Sequence, residues 1–172
     1  ELIQEQVARR GGGLVMIAGP RSMPSSWSGT PLADLLPFTG SLELDRRDGP
    51  VLARPTDVAT RLGVLRLVLG EDYGWPEALS DASYGWSQLQ WVQRIDPERL
   101  KPTAEILAEV RPADGDQADV TPLVLGMRYG AGQVLDVATA EIWRWRYGRG
   151  ELLPEQFWVQ LLRLLGREAV QG

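Results

Sequence analysis

The run GGGLVMIAGP, residues 11–20, constrains the fold more than any other stretch of the sequence. Its apolar residues, 14–18, are too few for a helix. A short apolar run between glycines is typical of a central strand in a parallel sheet. The residues before it predict a helix with Leu2, Ile3 and Val7 on one face, and the glycines at 11–13 end that helix. A helix followed by a buried strand is half of a βαβ unit, so the sequence predicts an α/β fold.

The beginning and the length of the chain bear on its domain organisation. The chain starts at Glu1 inside the helical pattern, and the strand that a βαβ unit places before its helix is missing. We therefore expect a piece of a larger protein that lacks its first strand. The 172 residues suffice for one hydrophobic core, and no change of composition marks a boundary. The whole chain, 1–172, is predicted to be a single domain.

Later segments predict antiparallel strands and a closing helix. The run PLVLGMRYGAGQVLDVAT, residues 122–139, holds two apolar strands around a glycine turn. Residues 42–56 predict a strand, a turn at Asp48-Gly49 and a second strand, and residues 89–95 and 104–110 predict two more. A helix begins at Pro154 and ends at Gly166. Together the segments predict a mixed sheet with parallel central strands and an antiparallel hairpin at one edge.

Composition excludes several classes of chemistry. The sequence has no cysteine and no histidine, which removes disulfides, thiolate nucleophiles and every Cys-His or Ser-His-Asp mechanism within this chain. No metal site and no cofactor is predicted. A net charge of -5 disfavours nucleic acid and anionic membrane surfaces as partners. No apolar run approaches the roughly 20 residues of a membrane-spanning helix, so this segment is not expected to insert into a bilayer.

Several segments together resemble a known family. The segments VARRGGGLVMIAGPRSM, TPLADLLPF, LQWVQRIDPERLKPTAEILAEV, PLVLGMRYGAGQVLDVATAEIWRWR and FWVQLLRLL occur in that order. They resemble the glutamine amidotransferase-like domain of large bacterial membrane proteins, which often also carry a von Willebrand factor A-type domain. The resemblance implies a flavodoxin-like sheet of the class I amidotransferase type, with helices on both faces. It also implies a soluble domain of a membrane-anchored protein.

The family's reaction does not carry over with the fold. It requires a cysteine on the turn after a core strand, a setting that Ala18 and Gly19 occupy here. It also requires a histidine after a late strand, where this chain has Thr139, Ala140 and Glu141. The resemblance therefore implies the fold without the glutaminase reaction.

Two loops are candidates for a ligand site, because ligands in open α/β sheets bind beyond the carboxyl ends of the strands. One follows the strand at 14–18, and the other, residues 139–147, follows the late hairpin. In an extended chain, the alternating WRWR motif would place tryptophans on one side and arginines on the other. The alternative is that the tryptophans pack beneath the sheet while the arginines meet Glu141, Glu151 or Asp136. The candidate ligand-binding residues are Arg21, Ser22, Ser26, Trp27, Glu141, Trp143, Arg144 and Arg146.

Three functions follow from these observations. The first is a catalytically degenerate amidotransferase-like domain that serves as an interaction or ligand-sensing module of a larger membrane-associated protein, with other domains or a protein as its partner. The second is an active hydrolase or transferase of the same superfamily that uses carboxylate, serine or metal chemistry. The third is a binder of small anionic or polyhydroxylated molecules, since arginine pairs with anions and tryptophan stacks on sugars.

Overall fold

A computed structural model describes residues 2–19, 30–39, 46–68, 74–149 and 152–171. These residues form a six-stranded sheet with the strand order β1-β6-β5-β4-β2-β3. The strands are β1 Gly13–Ile17, β2 Arg46–Pro55, β3 Leu89–Gln93, β4 Ala104–Pro112, β5 Thr121–Tyr129 and β6 Gly132–Val137. The α-helices of the described residues are α1 Leu2–Ala8, α2 Asp57–Leu62, α3 Arg146–Arg149 and α4 Leu152–Gln171.

The predicted flavodoxin-like arrangement is wrong. Among the described strands, only β1 and β6 run parallel, and each of the other neighbouring pairs is antiparallel. β1 is an edge strand of the described sheet, and the β5–β6 hairpin lies inside the sheet between β1 and β4. The helices of the described residues are few and do not form layers over a parallel sheet. An apolar run indicates that a strand is buried, but it does not indicate which strands lie beside it. β1 is only partly covered, because Met16 is buried whereas Ile17 is 41% exposed.

Two glycine predictions also differ from the structure. Residues 46–55 form one continuous strand, in which Gly49 adopts a φ of 117° beside a register shift between Asp48 and Val51. The glycine therefore supports a β-bulge instead of a reversing turn. Gly166 does not end the closing helix, because α4 continues to Gln171. The buried residues of α4 include Leu153, Phe157, Leu161 and Leu164. The packing of these side chains in the core outweighs the low helix propensity of one glycine.

The turn of the β5–β6 hairpin is confirmed and is covered by α1. The backbone N–H of Ala131 donates to the carbonyl of Ala8 at 2.7 Å. Gly130 has a φ of 60°, and a Cβ there would overlap the backbone of Ala8. Only glycine accommodates both the left-handed conformation and this close approach. The hairpin turn thereby fixes the position of α1 on β6.

The sheet curls so that its β3 edge meets the chain just after β6. The backbone N–H of Gln93 donates to the carbonyl of Ala138 at 2.7 Å. The hydroxyl of Thr139 donates to the carbonyl of Trp91 at 2.9 Å. These bonds satisfy backbone groups of β3 that an open edge would leave exposed. The curl also brings residues 138–141 against β3, which sets the position of the segment that follows.

Candidate functional site

The two parallel strands end at the same place. Ile17 and Val137 are register partners, and the N–H of Ala18 donates to the carbonyl of Val137 at 2.9 Å. The segments that follow β1 and β6 therefore begin side by side, at the kind of strand end where α/β sheets bind ligands. Arg21, Ser22, Ser26 and Trp27, the predicted ligand residues after β1, lie outside the described residues.

The segment after β6 is helical, so the extended alternation predicted for the WRWR motif is wrong. Glu141–Trp145 is a 3-10 helix, and α3 continues it. The two tryptophans separate: Trp145 is fully buried, whereas Trp143 is 42% exposed. The indole N–H of Trp145 donates to the carbonyl of Ser87 at 3.2 Å. Its ring packs edge-on against Trp75 and Phe157, with centroids 5.8 and 5.5 Å away, so this residue belongs to the core.

Glu141 has a structural role, because both of its carboxylate oxygens accept hydrogen bonds within the fold. Its side chain is buried, and one carboxylate oxygen accepts the backbone N–H of Gln90 at 2.9 Å. The other oxygen accepts the Nε–H of Arg144. This pair matches the predicted alternative in which an arginine meets Glu141. Because both oxygens are engaged, Glu141 satisfies a backbone donor of β3 and holds Arg144 in place.

Arg146 is placed differently from Arg144. Its guanidinium lies over the rings of Trp143 and Tyr147, 5.4 and 5.3 Å from their centroids. Both rings are exposed and meet edge-on at 6.0 Å. No carboxylate of the described residues forms an ion pair with Arg146, and Glu151, one of its predicted partners, lies outside them. We call Trp143, Arg146 and Tyr147 the arginine–aromatic cluster. Cation–π contacts with the two rings hold the guanidinium of Arg146 in place, and no described carboxylate pairs with it.

Asp136, the remaining predicted arginine partner, is isolated. It lies on β6 with 1% of its surface exposed, and its Oδ2 has no hydrogen-bond partner among the described residues. Burial raises the pKa of this carboxyl to about 7. The sequence signal for such a residue is one acid inside the apolar run VLDVA, residues 134–138. No sequence pattern indicates that the acid lacks a partner, because that depends on strand packing.

Other surfaces of the described residues offer less defined chemistry. A groove of about 790 Å³ beside α2 is lined by both charges, among them Arg54, Asp57, Arg61 and Glu77. Arg54 there is already paired with Glu109 at 2.9 Å. In the described part of the chain, no three carboxylates cluster closely enough to hold a metal ion. Within that same part, no helix has both the length and the apolar character needed to cross a bilayer.

Comparison with known proteins gives structural relatives only. No family model matches the chain, and no curated protein matches it. Among solved structures, it is similar to cytoplasmic protein STM1381 from Salmonella typhimurium LT2, with 23% identity and a TM-score of 0.61 over 95% of this chain. It is also similar to cytoplasmic protein STM3548 from Salmonella typhimurium, with 15% identity and a TM-score of 0.61 over 94% of this chain.

These similarities concern the fold alone. The chain spans 59% and 58% of the lengths of the two Salmonella proteins. Both are described as cytoplasmic proteins, so these comparisons give no support to the membrane association that the family resemblance implied. Membrane association accordingly forms no part of the function proposed below.

Proposed function

We propose that this chain is a non-catalytic interaction or ligand-sensing domain that binds an anionic ligand at the arginine–aromatic cluster. The observation that carries the proposal is the placement of Arg146. Its guanidinium is held over two exposed rings, and no described carboxylate neutralises it, although the chain as a whole is acidic. A guanidinium offers paired N–H donors that match a carboxylate or a phosphate.

The cluster favours an anion over a neutral sugar. A sugar would need a free aromatic face on which to stack. The ring of Trp143 is already contacted by two guanidiniums, that of Arg144 at 4.8 Å and that of Arg146 at 5.4 Å. The aromatic rings therefore orient the guanidinium groups, and we expect the guanidinium groups to bind the ligand. Arg144 adds positive charge nearby, although Glu141 already accepts its Nε–H.

A binding role fits the chemistry of the chain better than the enzymatic alternative. The sequence contains neither cysteine nor histidine, and Glu141 is occupied by Gln90 and Arg144. Asp136 could serve as a base near neutral pH, but its carboxyl is sealed from solvent. No cluster of described side chains favours hydrolase or transferase chemistry.

Nuclear magnetic resonance titrations with citrate, inorganic phosphate and maltose would test the proposal. We expect citrate or phosphate to shift the amide resonances of residues 143–148. Arg146→Ala should weaken the binding of these anions about tenfold or more, since a charge-assisted hydrogen bond contributes roughly 1.5–3 kcal/mol. Arg61→Ala, which removes an exposed arginine from α2, is the matched control and should leave the affinity unchanged.

Two results would contradict the proposal. One is an anion affinity that Arg146→Ala and Arg61→Ala lower equally, because binding would then reflect diffuse charge. The other is a response to maltose alone that Trp143→Ala abolishes, because the cluster would then be a sugar platform.

A further inference from the structure

Asp136 is the described side chain whose environment is least explained by the fold or by the proposed function. A buried carboxyl normally has a charged or hydrogen-bonding partner. Its partners across the two strand ladders are Met16 on β1 and Leu125 on β5, which are both buried and apolar. Its Oδ2 is shielded from water and has no hydrogen bond to any residue that the structure describes. Ionisation would therefore place an unpaired negative charge inside the core.

The charged groups on the elements packed against β6 do not compensate this charge. Glu5 on α1 and Arg9, which directly follows this helix, lie 3.9 Å apart and are both exposed. On α4, Glu155 and Arg163 are exposed, and β5 carries an exposed Arg128 that is engaged in another interaction. β1 contains no charged residue. Burial is accordingly the sole cause of the raised pKa of Asp136.

The neighbours of β6 differ in how firmly they are held. β5 is a nine-residue strand that pairs on both sides, with β4 and with β6. β1 has five residues and, among the described strands, pairs with β6 alone. α1 contributes a single buried residue, Val7. Because elements with few buried contacts open most readily, detaching β1 together with α1 is the least costly way for water to reach Asp136.

We propose that Asp136 is a pH-sensitive switch: its protonated form keeps β1 and α1 packed on β6, and its deprotonated form promotes their local opening. The switch goes beyond the proposed function and rests on different residues. It bears on the same end of the sheet, since β1 ends beside the segment that leads to the arginine–aromatic cluster. A rise in pH through neutrality would thus loosen the strand next to the candidate ligand site.

Amide hydrogen exchange at pH 6 and pH 8, corrected for the intrinsic exchange rate, tests this switch on the whole chain. With the pKa of Asp136 at about 7, the opening equilibrium of β1 should rise about tenfold between the two values. The protection of the β1 amides should fall by that factor, and the amides of β4 and β5 should change less. Asp136→Asn should remove the pH dependence, whereas Asp114→Asn, which alters an exposed acid after β4, should retain it.

Asp136→Leu keeps the branching of the side chain, with two methyl groups in place of the carboxylate oxygens, and has no titrating group. It gives the same test if the asparagine variant folds poorly. The proposal is overturned if the protection of β1 is equal at both pH values. It is also overturned if β1, β4 and β5 lose protection together, or if either Asp136 variant keeps the pH dependence. None of these readouts depends on whether an anion binds at Arg146.

Discussion

At the scale of single residues, the WRWR motif shows how one local pattern supplies two unrelated roles. Trp145 and Trp143 are two positions apart, yet the first is enclosed by Trp75 and Phe157 and the second lies at the surface. Arg144 is held by Glu141, whereas Arg146 rests on two exposed rings. The helical backbone of the segment causes this division, because successive side chains point in different directions around its axis.

The two tryptophans should therefore differ sharply in their contribution to stability. Trp145→Ala leaves a cavity in the core and should lower the free energy of unfolding by about 3–5 kcal/mol. Trp143→Ala removes mainly surface contacts and should lower it by about 0.5 kcal/mol. Urea unfolding followed by circular dichroism measures both. Equal losses for the two variants would show that the burial described for this segment is incorrect.

At the scale of secondary-structure elements, two helical glycines have opposite environments. In α3, a Cβ on Gly148 would overlap the ring of Trp86, so this glycine allows the segment after β6 to pack against residues 85–87. In α4, a Cβ on Gly166 would meet no described atom within 4 Å. Helix propensity alone favours alanine at both positions, and only the contact with Trp86 distinguishes them.

Gly166→Ala should raise the free energy of unfolding by about 0.5–1 kcal/mol, because alanine loses less backbone entropy in a helix. Gly148→Ala should lower it by about 1–3 kcal/mol, because Trp86 must move. Thermal unfolding of the two variants beside the parent chain provides the measurement. A stabilising Gly148→Ala would mean that Trp86 does not pack on α3.

At the scale of the whole molecule, Asp136 makes stability depend on pH. Its folded-state pKa of about 7 lies above the ordinary value of 3.8, so the unfolded chain releases this proton first as the pH rises. Its contribution to stability is fully present below about pH 4 and is lost as the pH rises through 7. One pH unit of pKa difference corresponds to about 1.4 kcal/mol, so the loss reaches up to about 4 kcal/mol at pH 8.

Urea unfolding at pH 5 and pH 8 measures this effect on the complete fold. The parent chain should be less stable at pH 8, and Asp136→Asn should remove most of the difference. The comparison is between the two chains at each pH, so that the effect of pH on groups shared by both chains cancels. Parallel profiles for the two chains would exclude Asp136 as the cause.

Local patterns predicted the elements better than their arrangement. The β5–β6 hairpin, β3, β4 and α1 are where the apolar periodicity places them, since each pattern involves neighbours along the chain. The closing helix begins near its predicted start but continues past Gly166. Within the candidate site, the sequence indicated the contact between Arg144 and Glu141 only as one of several options. It did not indicate that Tyr147 joins Arg146 or that Asp136 lacks a partner, because these facts depend on elements far apart in sequence.

By itself, the sequence determined that this chain cannot perform thiol or imidazole chemistry, and that it folds as a mixed α/β domain with apolar strands. Those conclusions follow from which functional groups exist and from the spacing of apolar residues. Only the tertiary structure decided that β1 lies at the edge, that its parallel partner is β6, and that Asp136 is buried between β1 and β5. An apolar run favours a buried strand. The packing of the whole chain decides which strands flank it and how much of it is covered, as the exposed Ile17 of β1 shows.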